Sequence, residues 1–371
     1  MEKPKIAILT FHHNTNFGSA LQAYGLFSVL KNEGYDPIFI NYRKNKFKMT
    51  GLRFLSHVML AYLFKFSPHI IPEKYSYRFL MFQKQYFKET KRIYDKNKLN
   101  VFSRKYKAYV AGSDQIWAPN LFDSAYFFDF LDDSDYRISY GSSIGLSKIP
   151  NELMEEYKKH LSKFNALSVR EEQGKKLLVD SLGLTPTVVL DPTLLLSEKF
   201  YDKIAVIPKN KGYILAYFIE YNEKQYKFVN DYARERDLEI ISVSRQNEGK
   251  YRFPKTLMHL GPREFLGYVK QSRIVFTDSF HGTLFSIIYK KNFFVFERFS
   301  SSNAISQNSR IHNILSILKL RERIIDYEVR DNISSININI NYSEVDVILR
   351  LEIEKSMEYL SESLKEIKNE E

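Results

Sequence analysis

KIAILTFHHNTNFGSALQAYGLFSVLKNEGYDPIFINYR, residues 5–43, decides the fold. KIAILTF (5–11) is a run of the kind found in strands buried on both faces. The loop HHNTNFGSA follows. ALQAYGLFSVLKNEG then carries helical spacing with a glycine near its end, and DPIFINYR is a second strand. Strand, helix and strand make a βαβ unit. Farther along come KAYVAG (107–112), RISYGSS (137–143), ALSVRE (166–171) and TVVLDPTLLL (187–196), short apolar runs that lead into Gly, Ser, Asp or Arg. The pattern resets through SEKFYDKIAVIPKNKG (197–212). A second series follows: YILAYFIE (213–220), a helix near 222–236, LEIISVS (238–244), a helix over 262–271, RIVFTDS, a helix from 281 and FFVFER (293–298). This alternation predicts an α/β chain of two Rossmann-like domains facing each other across a crevice. The expected division is 1–200, 201–342, and an amphipathic charged helix in 343–371.

With 371 residues, 44% hydrophobic and 15% aromatic, the chain can fill two cores, and disorder is excluded as its general state. The absence of cysteine excludes disulfides, thiolate zinc sites and cysteine nucleophiles, and suits a cytoplasmic protein. MEKPKIAILTF runs directly into a strand without a cleavable apolar region, so the protein is expected to be unexported. The formal net charge is +11, and residues 44–100 hold thirteen Lys/Arg against three Asp/Glu. Their most apolar part is broken by His57, Lys65 and Pro68, and falls short of the ~20 apolar residues of a membrane span. Two readings stand: a solvated helical insertion with an aromatic core face, or a surface for anionic lipid or a lipid-pyrophosphate substrate. No recognition motif accompanies the charge, so nucleic acid is not an expected partner.

Phosphate-loop signatures are absent, and Gly18 with Gly25 does not make G-x-G-x-x-G. HHNTNFGSALQAY still places a glycine and small polar residues between a strand and a helix start. There the amides and helix dipole favour an anion, or Asn14, Asn16 and Gly18 simply make the turn while Ser19 caps the helix. In TDSFHGTLFS (277–286), a helix starting near Ser279 to His281 puts Asp278 and Ser279 at capping positions and projects His281 into the crevice. Capping explains the first two residues and not the histidine. In GSDQIW (112–117), Asp114 lies just past a strand end, to accept a sugar hydroxyl or its proton, or to cap a helix. Arg170 closes another strand in SVRE, where it suits a carboxylate or phosphate, or a salt bridge to Glu171 or Glu172.

Taken in order, NFGSALQAYGL, VAGSDQIW, ISYGSSIG, SVREEQG, VLDPTLLL and TDSFHGTLFSIIYKKNF resemble the polysaccharide pyruvyl transferase family, from the first strand to about residue 320 with the basic segment as a variable insertion. The resemblance implies a fold like that of GT-B glycosyltransferases, with phosphoenolpyruvate as donor and no other cofactor or metal. The implied product is a sugar carrying pyruvate as a cyclic ketal. The implied acceptor is a bacterial surface-polysaccharide precursor, lipid-linked at the cytoplasmic membrane face, which would make the protein cytoplasmic and peripheral to that membrane. His281 matches the family's second-domain histidine, as acid or proton donor to the phosphate. Asp114 matches the first-domain acidic position, as base or acceptor anchor, with Asn16, Ser19 and Gln22 on the acceptor side. Arg170 matches the strand-end arginine and would bind the donor, with Ser279 and Gly282 at the helix start. One departure stands out: many relatives carry Arg-Leu-His where this chain has Ser279-Phe280-His281. Arg310 in QNSRIHNIL and Arg245 in SVSRQNEGK are the substitutes on offer, each read otherwise as an ordinary surface or salt-bridging arginine; of the two Arg310 is favoured because NSRI occurs in relatives with the same variant. The alternative is a GT-B-like glycosyltransferase with a nucleotide-sugar donor. A noncatalytic scaffold leaves Asp114, Arg170 and His281 at strand ends without a reason.

Overall fold

Short runs of apolar residues build two parallel sheets. The computed structural model describes residues 2–44, 73–146, 148–220, 223–244, 253–298, 308–325 and 339–369. In the first sheet β1 (Lys5–Leu9), β2 (Asp36–Phe39), β3 (Ala108–Ala111) and β4 (Arg137–Ser139) lie parallel in the order β2-β1-β3-β4. Single bridges, Ile138 to Ala166 and Ser142 to Val169, carry the layer on to β5 (Ser168–Val169), which pairs with β6 (Thr187–Val188). The second sheet contains β7 (Ile214–Tyr217), β8 (Ile240–Val243), β9 (Thr256–Leu257), β10 (Ile274–Thr277), β11 (Asn292–Phe296) and β12 (Ile324–Ile325). All are parallel, in the order β12-β11-β10-β7-β8-β9. These are two Rossmann-like domains. The strand order of the first reverses between β1 and β3, that of the second between β7 and β10. Ligands of open α/β sheets bind beyond the carboxyl ends of strands at such reversals, and here those ends are Thr10, Ser113–Asp114 and Thr277–Ser279.

Several strands are shorter than their apolar runs. β1 stops at Leu9 because the chain then turns, with the His12 amide donating to Thr10 O at 2.8 Å. In TVVLDPTLLL only Thr187–Val188 is strand; Asp191 caps a 3-10 turn over Pro192–Leu195, accepting from the Thr193 amide at 3.0 Å.

Helix α1 (Phe17–Asn32) is buried on almost every side, from Phe17 to Leu30. It therefore lacks the polar stripe of a surface helix. One side lies on the first sheet, while Phe17 stacks on Phe265 at 4.6 Å and meets Tyr217 at 5.7 Å, both from the second domain. The described part of the basic segment is built into the fold. In α2 (Glu73–Tyr86), Phe79 and Phe82 are buried, and Phe79 lies 5.5 Å from Phe17. Residues 87–93 then run along β2, with Thr90 N donating to Phe39 O and Ile93 N to Asn41 O, each at 2.9 Å. Residues 45–72, on which the membrane reading chiefly rests, and Arg245 lie outside the described residues.

Helices α3 (Asn151–Leu161), α4 (Glu172–Leu182) and α5 (Glu198–Asp202) complete the first half, and α6 (Glu223–Glu235), α7 (Pro262–Gln271), α8 (Phe280–Ile288) and α9 (Ser309–Ile317) the second. The final long helix, α10 (Tyr342–Ser363), holds both halves. Tyr342 Oη donates to Ser286 O at 3.3 Å, while Tyr359 Oη donates to Ser139 O at 2.8 Å and Ser356 Oγ accepts from Leu190 N at 3.0 Å. Among the described residues no helix is long and apolar enough to cross a membrane.

Candidate functional site

The start of α1 meets the start of α8 where the two strand reversals face each other. Asn16 caps α1, its Oδ1 accepting from Ser19 N at 3.2 Å. Ser19 is therefore not the cap, and its hydroxyl is released to donate to Asp114 Oδ2 at 2.6 Å. Gln22 is fully buried behind it, with Nε2 donating to Ser19 O at 3.0 Å and to Thr10 Oγ1 at 3.2 Å. Asp114 sits in the left-handed region at φ 83, disfavoured for a residue with a side chain, and is almost buried. Its Oδ1 accepts from Gln115 N at 2.9 Å and its carbonyl from Ser143 N at 2.9 Å, so bonds on either side hold the strained turn.

At the other rim Ser279 caps α8, its Oγ accepting from Gly282 N at 3.3 Å. Asp278 does not cap. Its two oxygens take the amides of Ile219 and Glu220 at 2.7 and 3.1 Å, because β10 ends beside β7 and the turn after β7 presents those donors. Burial raises its carboxyl to about 6. The cap consumes the Gly282 amide, and a Cβ at Gly282 would stand 2.5 Å from Thr277 Oγ1. The amides of Phe280 and His281, in the first turn, have no acceptor within the helix.

His281, 7% exposed, reaches across to the first domain. Its Nδ1 lies over Gly18, so near that a Cβ there would be 2.0 Å away; only glycine fits. Its Nε2 is 3.5 Å from Asp191 Oδ2, just beyond normal hydrogen-bond reach. Asp191 is the hub of a buried network. Oδ2 accepts from Arg170 Nη1 at 2.5 Å and Ser113 Oγ at 3.2 Å, and Oδ1 from Thr193 N and Oγ1 at 3.0 and 2.7 Å. Burial alone would raise this carboxyl, but His281 and the Arg170 charge outweigh it and hold the group well below the usual carboxylate range.

Arg170 is 3% exposed, and the salt bridge foreseen with Glu171 forms at 3.2 Å, beside the stronger one to Asp191. Its guanidinium also rests 4.5 Å from the centre of the Phe280 ring, which Arg310 approaches at 5.6 Å. Burial, then the Arg170 charge, lower the Arg310 guanidinium to about 10. Arg170 Nη2 and Glu171 Oε2 are buried without a hydrogen-bond partner among the described residues. A narrow cleft beside them is lined by Arg170, Asp191, Phe280, Arg310 and Asn313.

The fold therefore gathers Asp114, Ser19, Arg170, Arg310 and His281 around one junction, with Asn16, Ser279 and Gly282 shaping the two helix starts and Gln22 one layer behind. Asp191 and Ser113 carry no role in the sequence reading. Both lie inside its own motifs, VLDPTLLL and GSDQIW, but an aspartate before proline reads as a turn until its partners, 78 and 21 residues away in sequence, are known. Among the described residues no group of three or more His, Cys, Asp or Glu could hold a metal ion.

Solved structures similar to this chain include the trehalose-6-phosphate protein of Escherichia coli bound with UDP-2-fluoro glucose, at 10% identity over 97% of this chain and 98% of that one, TM-score 0.50. The UDP-GlcNAc 2-epimerase of Methanocaldococcus jannaschii, in complex with UDP-GlcNAc and UDP, is similar at 13% identity over 94% and 99%, TM-score 0.42. At these identities the likeness shows fold alone, and the first of them gives that of GT-B glycosyltransferases. No curated protein matches the sequence. The family model for polysaccharide pyruvyl transferase matches residues 16–301, a span that begins at the cap of α1 and includes Asp114, Arg170, Asp191 and His281, so this chain belongs to the polysaccharide pyruvyl transferase family.

Proposed function

We propose that the protein transfers pyruvate from phosphoenolpyruvate to two hydroxyls of a sugar in a surface-polysaccharide precursor, forming a cyclic ketal and releasing phosphate. The observation that carries this reading is the cation pair about Phe280. Two buried guanidiniums face one ring, one has an unpartnered N–H side, and the charge of Arg170 disfavours that of Arg310. A buried donor left unmatched is rare, and two neighbouring cations are relieved by an anion. A small ligand with a carboxylate and a phosphate suits them, together with the open amides of α8.

His281 supplies the proton that converts the donor's terminal methylene to a methyl group. One sugar hydroxyl forms a C–O bond to the adjacent carbon, and its proton passes to Asp114, which already accepts from Ser19. The phosphate leaves with the electrons of its C–O bond, and the second hydroxyl closes the ring, its proton leaving with the phosphate. Asn16, Ser19 and Asp114 line the acceptor side, with Gln22 holding Ser19. Ser279 and Gly282 shape the donor side through the cap. The acceptor is lipid-linked in this reading, and the Lys- and Arg-rich segment lies toward an anionic membrane face in the cytoplasm.

The test incubates purified protein with phosphoenolpyruvate and a lipid-linked oligosaccharide, following phosphate release and acceptor mass. Both should rise together, and His281→Ala should abolish both while leaving the thermal midpoint near wild type. Consumption of a nucleotide sugar instead would establish the glycosyltransferase alternative. Removing the basic charges of residues 44–98 should weaken binding to anionic vesicles in a salt-sensitive way; unchanged binding at low salt would assign that segment a purely structural role.

A further inference from the structure

We infer that Asp191 is the positioning residue for His281, holding Nε2–H toward itself so that Nδ1, over the Gly18 turn, is the nitrogen that exchanges a proton with substrate. The inference rests on the proposed function for the word substrate, but its geometric half does not. Asp191 Oδ2 is the polar atom facing Nε2, at 3.5 Å, and Nε2 is buried with no hydrogen-bond partner. An ionised carboxylate only accepts, so a ring nitrogen turned toward it carries hydrogen in both the neutral and the charged imidazole. The alternative tautomer would point a lone pair at a buried anion. Nδ1 stands where a Cβ on residue 18 would be 2.0 Å away, and the glycine leaves that side of the ring without a side chain from residue 18.

The carboxylate cannot rotate away. Arg170 Nη1, Ser113 Oγ, Thr193 N and Thr193 Oγ1 hold it from the first domain, and the turn it caps packs on α1, where a Cβ at Gly25 would stand 2.8 Å from Pro192 O. His281 belongs to the second domain, so the imidazole is aligned only with the two domains in register. Other charged groups near the junction are Arg170 and Glu171 at the end of β5, Asp114 at the end of β3, Arg310 on α9 and Asp278 before α8. The Asp278 carboxylate is occupied by the amides of Ile219 and Glu220. Of these, Asp191 is the one whose charge faces a ring nitrogen of His281.

The experiment labels the protein with 15N-histidine, assigns His281 by its loss in His281→Gln, and compares wild type with Asp191→Asn. In wild type the neutral ring should show the Nε2–H tautomer; Asp191→Asn should shift it toward Nδ1–H. The variant should lose about 10²-fold in kcat with KM for phosphoenolpyruvate changed less than threefold. A wild-type ring protonated at Nδ1, or a variant with unchanged tautomer and kcat within threefold, overturns the inference. A variant that only melts earlier, with normal kcat, also overturns it and assigns Asp191 to Arg170 alone. If Asp191→Asn does not fold, the wild-type tautomer together with Asp191→Glu decides. If wild type does not use phosphoenolpyruvate at all, the proposed function fails while the tautomer spectra still test the pairing.

Discussion

Gly18→Ala should remove activity while nearly sparing the fold. The new methyl would stand 2.0 Å from His281 Nδ1, 2.5 Å from Cγ and 2.7 Å from Cε1. Ordinary contact begins near about 3.5 Å, so the ring must retreat by about 1.5 Å. Alanine inside a helix is favoured over glycine by about 1 kcal/mol, and overpacking costs about 1–3 kcal/mol. The net loss of stability is therefore about 0–2 kcal/mol. Chemistry is less forgiving: a misplacement of about 1 Å costs about 10²-fold in rate. Initial rates of phosphate release and thermal melts, run side by side on wild type and Gly18→Ala, separate the two effects. Gly267→Ala is the contrast, because its Cβ would strike the Val206 carbonyl oxygen of a distant connection at 1.9 Å. That variant should lose stability and keep its turnover per folded molecule. A Gly18→Ala protein with kcat within threefold of wild type would show that His281 does not act from the position argued here.

Asp278→Asn tests burial at the second rim. In the folded protein this carboxyl is raised from 3.8 to about 6, so its favourable contribution is present below pH 4 and is lost as pH rises through 6. The asparagine variant should therefore gain about 2–3 kcal/mol on wild type between pH 4 and pH 7, read from urea midpoints; a pH-independent difference would deny the shift. Arg170→Met leaves Asp191 and Glu171 buried without their cation and should cost about 3–5 kcal/mol in denaturant unfolding; a loss below 1 kcal/mol would show the network to be slack. Phe280→Leu withdraws the ring shared by two guanidiniums and should raise KM for phosphoenolpyruvate about 3- to 30-fold with kcat less affected; an unchanged KM would separate the cation pair from donor binding.

The layer order was legible because periodicity and strand-end composition are local. KIAILTF, KAYVAG and RIVF are apolar runs that cannot face water, and each forms a strand. The boundaries were less legible: TVVLDPTLLL reads as an apolar run with a turn at Asp191-Pro192, and the hub that Asp191 forms with Ser113, Arg170 and His281 depends on three other segments. The same limit hid the division of labour at the helix starts. Asn16 and Ser19 are both good caps by type, and only the chain path made Asn16 the cap and freed Ser19 for Asp114. Asp278 next to Ser279 posed the same ambiguity, and the neighbouring strand resolved it by offering two amides to the carboxylate. His281 could be suspected because capping had no need of it. The identity of its partner depended on how two domains meet, which no local pattern contains.

The position that the sequence leaves most at odds with the family is Ser279, where many relatives have an arginine. Its hydroxyl caps α8, so a neutral residue serves the helix. The aromatic contact lies one residue on. Phe280, where those relatives have leucine, presents an aromatic face to Arg170 at 4.5 Å and to Arg310 at 5.6 Å. An aromatic face can hold a desolvated guanidinium by about 0.5–2 kcal/mol without neutralising it. Arg170 is matched by Asp191 and Glu171, and burial and then its charge lower the Arg310 guanidinium on α9. Under the proposed function, the cap at Ser279 and the ring at Phe280 therefore act on one junction: the first fixes the start of α8, and the second presents a shared face to the Arg170 and Arg310 guanidiniums.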